Sequence, residues 1–99
     1  MVLTDNIERI GVGSFRGCKK LKTVTTGKGL KIIGKQAFYQ CRSLSKLNIT
    51  SARLTSVGSK ALKGIKSNAK IYVPKSKYTE YKRMFKNKGQ GNNVTIKSK

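Results

Sequence analysis

Three stretches of this chain repeat one pattern at a near-constant interval. Ile10-Gly11, Phe15, Cys18, Leu21 and Val24 return 23 residues later as Ile33-Gly34, Phe38, Cys41, Leu44 and Leu47. A third copy follows 24 residues on, as Val57-Gly58, Leu62 and Ile65, ending in Ala69, Ile71 and Val73. A fixed period in the twenties predicts a solenoid, because one such unit cannot bury its apolar face alone and must stack on its neighbours. Coils of this kind display a surface more often than they enclose a catalytic pocket.

Each copy has three parts. A short run closes at the Ile/Val-Gly pair, as in Leu30 to Gly34. A compact turn, Lys35 to Cys41, buries Phe38 and Cys41 at a three-residue step, which predicts a helical or 3-10 conformation. A strand follows, Leu44 to Ile49, in which Leu47 and Ile49 alternate with polar residues. The recurring Gly11, Gly34 and Gly58 mark a backbone bend that a side chain would obstruct. Small residues at Ser14, Ala37 and Ala61 predict close contact between successive coils.

Pro74 ends the third strand, since proline cannot donate to a ladder. Beyond it, Tyr78, Tyr81, Met84 and Phe85 fall at i, i+3, i+6 and i+7. They predict a helix of about three turns with one apolar stripe, capped by Ser76 and stopped near Gly89. Lys77, Lys82, Arg83 and Lys86 take its other face. Val94-Thr95-Ile96 reads as a last short strand. Helix and strand together read as a cap over the apolar end of the coil; a membrane-surface helix is the alternative. The expected architecture is an α/β solenoid, a short leucine-rich repeat coil of about three repeats of 23–24 residues, with a C-terminal helix-strand cap. It forms one domain over 1–99, with repeats at about 7–26, 30–50 and 54–74 and the cap at 75–99.

The hydrophobic share of 36% suits a core only one repeat deep. No stretch approaches the roughly 18 apolar residues of a membrane span. The N-terminus lacks the basic and apolar regions of a signal peptide. Because the first repeat starts almost at once, with no room for a cap, a piece of a longer exported chain is expected in preference to a complete cytosolic one. Cys18 and Cys41 occupy equivalent positions, and Ile65 takes the third. That replacement predicts a small buried wedge, with a disulfide between stacked neighbours as the alternative.

The pattern Ile-Gly-x3-Phe-x2-Cys-x2-Leu-x2-Val/Leu resembles the BspA-type leucine-rich repeat. Its best copy runs from Ile33 to Leu44, and the segment from Ile71 to Lys82 is similar to the ending of many such chains. The third copy departs from the pattern with Leu62 and Ile65. The resemblance implies bacterial surface or secreted proteins used in adhesion and host-matrix binding. It transfers no catalytic or binding residue.

The chain has no histidine, which removes imidazole bases and Ser-His or Cys-His nucleophiles. Asp5, Glu8 and Glu80 are its only acids and form no evident pair. Two separated thiols make a poor zinc site. Neither Gly27-Lys28-Gly29 nor Gly89-Gln90-Gly91 has the spacing of a phosphate loop. No enzyme activity, metal or cofactor is therefore expected.

What remains is charge. Twenty-three Lys and Arg give a net +20, and the natural partners are polyanions. Aligning the repeats stacks Lys19, Arg42 and Lys66 in one column. Arg16, Tyr39 and Lys63 stack in another, and Thr23, Lys46 and Lys70 in a third. At a strand spacing of about 5 Å each neighbouring cation pair repels by roughly 0.8 kcal/mol in water. A bound polyanion would relieve that repulsion and release counterions. Lysine outnumbers arginine 18 to 5, which favours loose point-charge attraction over bidentate recognition. The strand positions Thr23, Thr25, Lys46, Asn48, Lys70 and Tyr72 alternate with the buried set and are the expected contact face. The expected partner is a host matrix protein or an anionic cell-wall or glycan polymer at the surface of a bacterium. Nucleic acid, or service as an accessory arm of a separate surface enzyme, is the alternative. The plain alternative to any binding role is a solvated lysine face that keeps the chain soluble.

Overall fold

A computed structural model describes all 99 residues. The strands are β1 (Arg9–Ile10), β2 (Thr23–Thr25), β3 (Ile32–Ile33), β4 (Lys46–Asn48), β5 (Ser56–Val57), β6 (Lys70–Val73) and β7 (Thr95–Ser98). They form two parallel sheets, ordered β1-β3-β5 and β2-β4-β6-β7. Each winding of the chain lays one strand in each sheet, so the sequence period becomes the pairing register. Val24 pairs with Leu47, Leu47 with Ile71, and Ile71 with Ile96. At the other end, Val2 bridges to Thr25.

The smaller sheet is not visible in the sequence pattern. Its strands are two residues long, too short to show alternation. Ile10, Ile33 and Val57 are their buried members.

The compact turns are neither helical nor 3-10, contrary to the three-residue step. Alternate N–H groups do different work. Ser14, Arg16 and Cys18 donate three residues back within the turn. Gly13, Phe15 and Gly17 donate across to Lys35, Ala37 and Tyr39 of the next winding, at 3.0, 2.9 and 2.8 Å. Turning every second N–H outward requires left-handed backbone at every fourth residue. Gly13 and Gly17 supply it with φ of 62° and 74°, Gln36 and Gln40 with 56° and 60°, and Lys60 and Gly64 with 56° and 86°. A helix would have kept these donors to itself; here they join the windings.

The glycine column also has a different cause from the one expected. Gly11, Gly34 and Gly58 are not in the left-handed region. A Cβ on Gly34 would lie 2.8 Å from the backbone of Ile10, Gly11 and Val12, and one on Gly58 would strike the backbone of Lys35. The neighbouring winding excludes the side chain, not a bend in the residue's own backbone. Ala37 and Ala61 are fully buried, as close stacking requires.

One cluster of 20 buried apolar residues runs through the windings. Phe15 stacks on Phe38 with ring centroids 5.4 Å apart. Cys41 is fully buried, Cys18 half-buried, and both thiols are free. Cys41 Sγ donates to Phe15 O at 2.9 Å.

At the C-terminal end, β6 stops at Pro74. A 3-10 turn, Lys75–Lys77, leads into helix α1, Tyr78–Met84. Ser76 lies inside that turn, and the N-cap is Lys77, which makes no side-chain capping bond. The helix has seven residues, about two turns and not three. It stops before Gly89 because Gln90 draws the chain back: its Nε2 donates to Phe85 O and its Oε1 accepts from Lys88 N–H. Gly89, at φ 94°, sits against Lys63 of the third winding. Tyr81 and Phe85 are fully buried, and Tyr78 and Met84 pack against the core. The apolar stripe is therefore occupied by packing, and β7 extends the larger sheet beside β6.

Candidate functional site

Alternation in the larger sheet sends Val24, Leu47 and Ile71 inward. The outward residues form two rows. Thr23, Lys46, Lys70 and Thr95 lie side by side in one; Thr25, Asn48, Tyr72 and Lys97 do so in the other. Neighbouring members are about 4.8 Å apart at the backbone, the strand spacing. Lys46 and Lys70 are exposed. The Lys46 ammonium sits 5.3 Å from the centroid of the Tyr72 ring, within cation–π range. Asn48 is only 7% exposed, so it is a floor between Thr25 and Tyr72 and not the open contact residue expected. Its Nδ2 donates to Thr25 Oγ1 at 3.1 Å.

The turn side carries the other two columns. The cross-winding bonds fix their register: Gly17 N–H to Tyr39 O and Gln40 N–H to Lys63 O place Arg16 beside Tyr39 and Tyr39 beside Lys63. The Arg16 guanidinium stands 5.0 Å from the Tyr39 centroid. Lys19, Arg42 and Lys66 follow three residues later and are all exposed. Arg42 Nε donates to Gln40 Oε1 at 3.3 Å, which leans its head back over the turn. Arg42 and Lys46 are four residues apart, so turn and sheet rows lie within about 14 Å of each other along the chain.

The acids do little to neutralise this surface. Two ion pairs form, Lys31 with Glu8 at 3.4 Å and Lys77 with Glu80 at 3.7 Å, both exposed. Asp5 accepts from the backbone N–H of Lys28. No cation of the three columns is in an ion pair.

Surface depressions lie around the cap, lined by Lys82 and Lys86 among others, and none contains a residue of the three columns. No group of three or more His, Cys, Asp and Glu side chains is placed to hold a metal. Burial raises the pKa of the Cys41 thiol, which disfavours the thiolate a nucleophile would need.

One polar cluster had no signal in the sequence. Tyr81 Oη donates to Ser51 O at 2.8 Å and accepts from Leu54 N–H at 3.0 Å. Ser51 Oγ in turn donates to Leu30 O at 2.6 Å. These bonds pin the cap helix to the loop between the second and third windings. The partners are about 30 residues apart in sequence, so only the fold brings them together.

No helix is long and apolar enough to cross a membrane. Searches among curated proteins and among solved structures return no match. A family model described as the BspA type leucine rich repeat region (6 copies) matches residues 1–99, the whole chain. The period, the Ile-Gly and Phe-x2-Cys landmarks and the winding parallel strands agree with that match: the chain belongs to the BspA-type leucine-rich repeat family.

Proposed function

We propose that the chain is a non-catalytic leucine-rich repeat module of a bacterial surface or secreted protein. Its role is adhesion, and it binds an anionic cell-wall or glycan polymer, or an acidic face of a host matrix protein. Its architecture is a short solenoid of about three coils with a helix-strand cap, a single domain over 1–99. The contact surface is the pair of turn columns, Lys19/Arg42/Lys66 and Arg16/Tyr39/Lys63, together with Lys46, Lys70 and Tyr72 on the sheet.

The observation that carries this reading is cations held in register with no acid beside them. Seven unpaired cations fall in three columns whose spacing is fixed by backbone hydrogen bonds. Repulsion among them is a cost that a polyanion offsets. Proteins of this family are generally non-catalytic binding modules, which supports the same reading.

The test is binding of the chain to lipoteichoic acid, heparin, duplex DNA and fibronectin at several salt concentrations. The reading expects binding to one of the cell-wall, glycan or matrix ligands, with duplex DNA weaker than the best of them. Binding to DNA alone would favour the nucleic-acid alternative. No binding to any of the four would leave the lysines as a solubilising coat and reject the proposal.

A further inference from the structure

One atom on the outward sheet face has no account in the fold. Asn48 Oδ1 is buried and accepts no hydrogen bond. The other half of the amide is fixed, because Nδ2 donates to Thr25 Oγ1 on the preceding strand. Oδ1 is the half of the amide left without a partner, and Tyr72 of β6 is the register neighbour of Asn48 on its other side. Reversing the amide would only exchange an orphaned acceptor for an orphaned donor. A sealed acceptor without a donor is a standing cost to the folded state, and a ligand hydroxyl placed there would remove it.

The surroundings narrow the ligand. Lys46 stands over the Tyr72 ring at 5.3 Å. Lys70 is beside Lys46, and Lys97 is beside Tyr72. None of the three lysines is in an ion pair. The patch thus offers cations, an aromatic ring and one acceptor. Its complement carries an anionic group, an apolar ring face and a hydroxyl donor.

We propose that this patch is a subsite for an acidic sugar unit of an anionic glycan. The anionic group sits between Lys46 and Lys70, the sugar ring stacks on Tyr72, and a sugar hydroxyl donates to Asn48 Oδ1. An anion drawing Lys46 toward Lys70 lifts its ammonium from the Tyr72 ring and frees that ring face for the sugar. This inference rests on the reading that the sheet face binds polyanions, and adds the ligand class. A polyphosphate has the charge but no hydroxyl to give. An extended acidic peptide gains affinity chiefly by joining a sheet edge through its main chain. Here β4 and β6 are paired on both sides, so the face offers such a peptide no backbone partners.

The test uses the full chain with heparin, inorganic polyphosphate and polyglutamate of matched charge, at about 150 mM salt. Heparin should bind about tenfold tighter than the other two. Asn48→Ala should weaken heparin about five- to tenfold, the effect of one hydrogen bond to a buried acceptor, and leave polyphosphate within about twofold. Tyr72→Leu leaves the amide intact, and should weaken heparin selectively in the same way. Lys46→Gln should weaken all three. Equal wild-type affinities for the three polymers would overturn the subsite while leaving the polyanion reading standing. So would an unchanged heparin preference in both Asn48→Ala and Tyr72→Leu. Tightest binding to polyglutamate would replace the sugar with an acidic peptide. Binding to none would overturn both readings.

Discussion

At the scale of single residues, the side chains that decide most are those that reach between windings. Tyr81 is the clearest. Its hydroxyl serves one donor and one acceptor of the buried backbone, so Tyr81→Phe strands the Leu54 N–H and the Ser51 carbonyl. The expected loss is about 2–3 kcal/mol, read as a fall in Tm on the order of 10 °C. An unchanged Tm would show that water replaces the bonds. The same residue gives a pH dependence. Burial raises the pKa of the Cys41 thiol above its ordinary value of 9.0 and that of the Tyr81 phenol above 10.0. In both cases the unfolded chain loses its proton first, so stability is full below about pH 9 and falls as pH rises through these raised values. Urea midpoints measured from pH 7 to 11 should fall less, or rise more, above pH 10 in Tyr81→Phe than in the wild type. The loss of net charge toward the isoelectric point near 10.5 is common to both, and the phenol contribution is not. Lys60 is a third case, at φ 56° where its counterpart in the first winding is Gly13. Lys60→Gly should stabilise by about 0.5–1 kcal/mol, the left-handed strain less the added chain entropy, checked by urea denaturation.

At the scale of elements, the sequence carried the strands better than the turns. Leu47 announces its strand, but only Lys46–Asn48 of the expected Leu44 to Ile49 is strand. Ile49 lies beyond it, and Leu47, Asn48 and Ile49 are all buried, so the alternation holds only in part. The turn from Lys35 to Cys41 misleads because Phe38 and Cys41 lie three residues apart, as they would on a helix. What fixes the turn instead is the next winding, which takes the N–H groups of Gln36, Phe38 and Gln40. That partner lies more than 20 residues away and leaves no trace in the local pattern. The C-terminal helix was legible as an apolar stripe: of Tyr78, Tyr81, Met84 and Phe85, which the periodicity picks, Tyr81 and Phe85 are fully buried, and Phe85 falls just past the helix end. Its start was not, because a 3-10 turn after Pro74 absorbs Ser76. The glycine column supplies a discriminating prediction. If a bend required glycine, Gly11→Ala and Gly58→Ala would be equally harmful. Contact between windings instead predicts a small effect at Gly11, whose Cβ would meet only Ser14 Oγ at 3.1 Å, and a large one at Gly58. Losses under about 1 kcal/mol and over about 2 kcal/mol are expected, measured side by side by thermal unfolding.

At the scale of the whole molecule, the dominant fact is net +20 on 99 residues with two exposed ion pairs. The columns of the candidate surface were legible because a repeat converts residue number directly into position: Lys19, Arg42 and Lys66 align once the period is known. The floor of the sheet face was not. Asn48 reads as an outward polar residue, and its burial depends on Thr25 and Tyr72 of the neighbouring strands. Self-repulsion of this size also makes the free chain sensitive to salt. Raising salt from about 50 to 200 mM should raise its Tm, as screening shortens from roughly 14 to 7 Å.

The central claim is that the placement of the cations matters, and not only their number. The direct measurement compares two triple variants of equal net charge for binding to a cell-wall or glycan polyanion across a salt series. One removes a column, Lys19→Gln, Arg42→Gln and Lys66→Gln. The other removes three cations outside the columns, Lys28→Gln, Lys35→Gln and Lys75→Gln. The column variant should lose most of the affinity and shallow the dependence of log K on log salt by about two to three, while the control stays close to wild type. Equal losses in the two variants would mean that net charge alone governs binding, and would contradict the account.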